Sequence, residues 1–113
     1  MNSTFSITPE EFVQEFRELK DDFLKGYFLP NSDISRIEEL KSVDLNSDQI
    51  NLVKTVCNDL LTDALYTVLL GLDGCASISR YQIDYELKDE SNNALSGSGE
   101  LEAYAYEAFH ENT

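Results

Sequence analysis

The chain has 113 residues, 42% of them hydrophobic, with 22 acidic and 8 basic side chains and a formal net charge of −14. That length holds one domain spanning residues 1–113, and 32 Leu, Ile, Val and Phe residues supply a core for it. The charge argues against nucleic acid and anionic membranes, which are held by Lys and Arg, and favours encounter with a basic protein.

The opening MNSTFSITPEEF turns acidic without a basic and then apolar leader, which predicts no signal peptide. The most apolar run, Ala64 to Leu72, is too short to span a bilayer. Cys57 and Cys75 form neither a metal-ligand spacing nor a disulfide framework, as in a reduced cytoplasmic protein.

A first helix is predicted from Pro9 to about Phe28. Thr8 is its N-cap, Pro9 stands at the first helical position, and Glu11 closes a capping box. Ile7 and Phe12 occupy staple positions, and Phe12, Phe16, Leu19, Phe23 and Tyr27 recur at helical spacing before Pro30 ends the element. A short second helix is predicted from Asp33 to Lys41, with Ser32 as its cap. Asn46 and Gln49 form the next capping box, with Ser47 as the other possible cap, and open a third helix. It runs to about Leu70, with Gly71 just past its end. Its second half, ALYTVLLGL, is apolar almost all round, which predicts a helix buried against several neighbours.

Beyond Gly74 the period changes to two. Tyr81, Ile83, Tyr85 and Leu87 alternate with Gln82, Asp84, Glu86 and Lys88, which predicts a strand with its odd side buried and its even side wet. A turn over Asp89 to Asn93 leads to a short returning strand at Ala94 to Ser96. Ser98 or Gly99 then starts a final helix with Leu101, Tyr104, Ala105, Ala108 and Phe109 on its inner side. The predicted order is α-α-α-β-β-α. It is a helix-rich α+β domain with a small antiparallel hairpin packed on the helices.

Nothing in this pattern builds a catalytic constellation. Glu107 and the one histidine, His110, have the spacing of a di-iron ligand pair, but that chemistry needs a second such pair and two more carboxylates. Asp73, Cys75 and Ser77 lie in one loop without a neighbouring base to activate a nucleophile. Gly97-Ser98-Gly99 is not a phosphate loop, and no basic residue follows it. The expectation is a protein that is not an enzyme and has no cofactor or metal.

The remaining signal is the distribution of acid. From residue 81 onward eight carboxylates stand against one lysine, Lys88, and Tyr81, Tyr85, Tyr104 and Tyr106 are threaded among them. Tyrosine with carboxylates makes a surface that grips Arg and Lys. Periodicity assigns Tyr81, Tyr85 and Tyr104 to the core, whereas Tyr106 falls outside the apolar sector of its helix. Asp84, Glu86, Glu107, Glu111 and Tyr106 are therefore the candidate partner-binding residues, one continuous face if strand and final helix pack together.

The segments LLGLDGCASI, YQIDYELKDE and GELEAYAYEAFHE, within residues 60–111, resemble bacterial immunity proteins of the polymorphic-toxin and contact-dependent growth inhibition systems. The resemblance implies a cytoplasmic protein that binds one toxin domain, often a basic nuclease, and blocks its active site. It assigns no site residues. An acidic adaptor module without a toxin partner, possible also as a homodimer, is the other reading of the same residues.

Overall fold

The computed structural model describes residues 6–111. Its elements are α1 (Pro9–Phe28), α2 (Ile37–Lys41), α3 (Ser47–Leu72), α4 (Glu100–Tyr106) and a terminal π-helical turn (Glu107–Glu111). The chain separates into two compact units, one of residues 1–17 and 64–113 and one of residues 18–63. Both long helices supply residues to each unit.

The two capping boxes form as the sequence predicts. Thr8 N–H donates to Glu11 and Glu11 N–H to Thr8, at 2.9 and 3.1 Å. The Asn46–Gln49 pair does the same at 2.9 Å in both directions, which makes Asn46 the cap of α3. Each box satisfies two backbone donors that a helix start otherwise leaves open.

The split unit carries the main core. Val13, Leu69, Leu101, Ala105, Ala108 and Phe109 are buried together, with Phe12, Phe16, Leu65, Tyr66, Leu70, Leu72, Leu87 and Tyr104 packed around them. The final helix thus turns in the side that its spacing marks, and the Arg17 guanidinium donates to the carbonyl of Ala108 where its last turn widens.

The end of α3 differs from the sequence reading. The helix continues through Gly71 to Leu72 and closes at Gly74, whose φ of 75° is left-handed. Cys75 N–H donates to Leu70 O at 2.9 Å and Gly74 N–H to Gly71 O at 3.0 Å, the two bonds of a Schellman cap. Gly71 serves packing instead: a Cβ there would collide with the Ile78 side chain.

The predicted α+β class is not what forms, because the hairpin does not. Among the described residues pairing is limited to one antiparallel bridge between Lys88 and Ala94, closed by the Asp89–Asn93 turn. The reason lies in Ser96 and Asp73. The Ser96 hydroxyl accepts from Leu87 N–H at 2.9 Å and donates to Tyr85 O at 2.6 Å, occupying groups that a returning backbone would need. Gly97 N–H turns away to Asp73 at 2.6 Å. Residues 81–87 remain a strap without regular secondary structure, and among the described residues no strand lies beside it.

The burial predicted for that strap also fails. Tyr81, Ile83 and Tyr85 are 64%, 51% and 38% exposed, and of the odd positions only Leu87 reaches the core.

The 18–63 unit holds the second half of α1, the short α2 and the first part of α3. Helix α2 starts four residues later than predicted, because Ser32 donates its hydroxyl to the Gly26 carbonyl and Arg36 N–H bonds Tyr27 O at 2.7 Å. Those residues finish α1 instead of starting α2.

Candidate functional site

Helix α3 and the strap are joined by the Asp73–Gly74 corner. Asp73 is buried, and its carboxylate accepts from Gly97 N–H at 2.6 Å and from Glu102 N–H at 3.2 Å. A carboxylate at the open end of α4 supplies the acceptor that its third backbone donor lacks and lies at the favourable end of the helix dipole. The strap crosses the same corner. Gln82 Nε2 donates to Gly74 O at 3.0 Å, and a Cβ on Gly74 would stand 2.6 Å from Asp84 Oδ1.

The far end of the strap is fixed by Asp89. Its carboxylate accepts from the backbone of Asn93, Ile7 and Ser91, each at 2.9 Å, and from the Asn93 side chain at 3.1 Å. The Asn93 and Ile7 donors hold the Asp89 carboxyl below its ordinary range.

Near the Asp89 end the backbone presents alternating groups. Leu87 O accepts from Leu95 N–H at 2.7 Å and Asp89 N–H donates to Asn93 O at 3.1 Å, so these residues point the bonded groups toward the returning chain. In an extended strand the even residues then point the other way. Among the described residues, the backbone groups of Gln82, Asp84, Glu86 and Lys88 have no hydrogen-bond partner, and neither do those of Tyr81 and Ile83.

Asp84 and Glu86 line one hollow of about 300 Å³ with Tyr85, Lys88 and Ser96. Lys88 Nζ is 3.8 Å from Glu86 Oε1, which places both on one side of the strap. Tyr81, Ile83 and Tyr85 are exposed, Tyr85 the least of the three, and the Arg80 guanidinium lies 5.2 Å over the Tyr81 ring. A guanidinium is the group such a phenol face accepts best.

The other candidate residues sit elsewhere. Tyr106 is 51% exposed and its ring lies 5.5 Å from His110, which in turn meets Tyr66 edge-on at 4.5 Å. Glu107 lines a different hollow, with Glu10, Gln14 and Tyr104, and Glu111 is exposed. Among the described residues no hydrogen bond or ion pair joins Glu107 or Glu111 to Asp84 or Glu86, and Glu107 lines a different hollow from theirs. The structure brings together Asp84 and Glu86, and adds to them Tyr81, Ile83 and Tyr85, which alternation alone assigns to the core.

The loop residues weighed for catalysis have other surroundings. Burial and the carboxylates of Glu102 and Asp73 push the Cys75 thiol up, the opposite of what a nucleophilic cysteine needs. Burial, then Glu102 and Tyr106, raise the Tyr66 phenol likewise. Among the described residues no cluster of three His, Cys, Asp or Glu side chains stands close enough to hold a metal ion, and no helix is long and apolar enough to cross a membrane.

A second surface lies within the 18–63 unit. Phe23, Leu24, Tyr27 and Phe28 of α1 and Cys57, Leu60 and Leu61 of α3 line an open apolar groove of about 280 Å³. The sequence marks these residues as apolar stripes, and the stripes read as core.

No family model matches the chain, and no curated protein or solved structure matches it either.

Proposed function

We propose that the chain is a protein-binding inhibitor of the immunity type, a cytoplasmic protein that covers the cationic surface of a basic toxin domain, in the first instance a nuclease. The observation that supports this reading is the exposure of the strap, on which Tyr81, Ile83 and Tyr85 are accessible together with the Asp84 and Glu86 carboxylates. The unit that carries it holds twelve acidic residues against three basic ones, Arg17, Arg80 and Lys88. Large amphipathic side chains give contact area, and the surrounding negative field speeds and orients the approach of a positive surface. A nuclease that holds phosphates presents such a surface.

The test is whether a gene adjacent to this one encodes a toxin domain, and whether that domain forms a complex with the chain. The two purified proteins are expected to bind one to one, with an affinity that falls as salt rises, and the complex is expected to lack the toxin's activity. A neighbouring toxin domain that stays fully active with excess chain present contradicts the proposal. The apolar groove of the 18–63 unit favours a second reading, an adaptor that receives an amphipathic helix. That reading expects binding indifferent to salt and lost on Tyr27→Asp.

A further inference from the structure

At its C-terminal end the strap turns one backbone edge to the returning chain, through Tyr85, Leu87 and Asp89, and leaves the other unpaired. Residues 81–87 form neither helix nor paired strand, alternate in polarity and include two tyrosines, and among the described residues the backbone groups of Gln82, Asp84, Glu86 and Lys88 have no hydrogen-bond partner. An extended edge of this kind is a template for another strand and invites aggregation unless charge or a partner manages it. Here the exposed Asp84 and Glu86 carboxylates alternate in sequence with the exposed Tyr81, Ile83 and Tyr85.

We infer that the outer edge formed by Gln82, Asp84, Glu86 and Lys88 pairs with one extended basic segment of the partner protein, which adds to the strap as a new strand. The inference rests on the proposed basic partner and specifies how that partner is held. Main-chain bonds to the four even residues supply the attachment, and the two sides of the added strand supply selectivity. Directly opposite side chains on one side of a pair interact, so Lys or Arg of the incoming strand meets Asp84 and Glu86, and β-branched or apolar residues meet Tyr81, Ile83 and Tyr85. A second copy is disfavoured by the same rule: antiparallel self-pairing centred on Asp84 or Tyr85 sets Asp84 against Asp84 or Glu86, and like charges directly opposite destabilise the pair.

The probe is a peptide of about ten residues, a strand's usual upper length, in which Lys alternates with Val or Thr. A second peptide carries N-methyl groups on two adjacent central residues, which removes a donor from both of its edges. Residue-resolved amide exchange by NMR is measured with each peptide in excess and without peptide. The alternating peptide is expected to slow exchange at Gln82, Asp84, Glu86 and Lys88, and the methylated one to bind about tenfold more weakly or worse. Asp84→Lys with Glu86→Lys is expected to abolish the salt dependence.

Binding of both peptides with equal affinity, and with exchange at the even residues unchanged, overturns strand addition while leaving an acidic binder of a basic partner in place. No binding of the alternating peptide to the parent chain overturns the inference together with the complementarity on which it rests. Protection that grows with protein concentration in the absence of peptide also overturns it, because the occupant is then a second copy.

Discussion

Replacing Asp73 with alanine should destabilise the protein severely although no apolar contact is lost. The carboxylate is buried and accepts two backbone hydrogen bonds, from Gly97 at 2.6 Å and Glu102 at 3.2 Å. Bonds to a charged group contribute about 1.5–3 kcal/mol each, and removing the acceptor leaves both donors to find water at a buried corner. The shorter bond counts near the top of that range and the longer near the bottom, and some of the loss is recovered by hydration. A net loss of about 3 kcal/mol is the working figure. For a chain of this size it lowers Tm by about 12 °C, at roughly 4 °C per kcal/mol. Asp73→Asn should recover less than half of the loss, because the amide oxygen replaces one acceptor while its NH₂ confronts the other donor. The assay is thermal and urea unfolding of parent and both variants, with an unchanged urea slope confirming that only stability moved. An Asp73→Ala protein melting within a degree or two of the parent would refute the assignment of Asp73 as the keystone between α3 and α4.

Leu69→Ala should cost about 3 kcal/mol, since Leu69 is wholly buried in the split unit's core and leaves a cavity there; a loss under about 1 kcal/mol in urea unfolding contradicts that placement. Thr62→Val should raise stability, by about 1 kcal/mol, because the Thr62 hydroxyl is buried with no hydrogen-bond partner among the described residues; a fall in the urea midpoint overturns this. Because the folded Asp89 carboxyl titrates below its unfolded value, its contribution is present above about pH 4 and is lost as pH falls through the lower folded value. Asp89→Asn should accordingly flatten the acid limb of a stability-against-pH profile, and an acid limb identical to the parent's removes Asp89 from the account.

The helices were legible because their signals are local. Thr8 with Glu11 and Asn46 with Gln49 mark two helix starts from four residues apiece, and all four predicted bonds form. The final helix followed from spacing, since Leu101, Ala105, Ala108 and Phe109 are the residues it buries. What the sequence hid depended on distant partners. Alternation at 81–87 reads as a half-buried strand, but whether it pairs is decided by the Ser96 hydroxyl and by Asp73 drawing Gly97 aside. Gly71 and Gly74 are equally plausible helix ends by composition, and only the packing of Ile78 on Gly71 separates them. Of the candidate site, the Asp84–Glu86 pair was legible from its alternation. Its tyrosine neighbours were not, because alternation gives two sides without saying which one faces water.

The central claim is that a localised acidic edge, and not the net charge as a whole, captures a basic partner. The measurement is the association rate with a basic protein partner, the proposed toxin domain or an alternating Lys peptide, at two salt concentrations for three charge-matched reversals: Asp84→Lys with Glu86→Lys, Glu107→Lys with Glu111→Lys, and Glu15→Lys with Asp63→Lys. All six residues are exposed, so each pair changes the net charge equally without opening the core. The strap reversal should slow association most and flatten its salt dependence, with the other two close to the parent. Equal slowing by all three would contradict a localised site and leave only a diffuse acidic field.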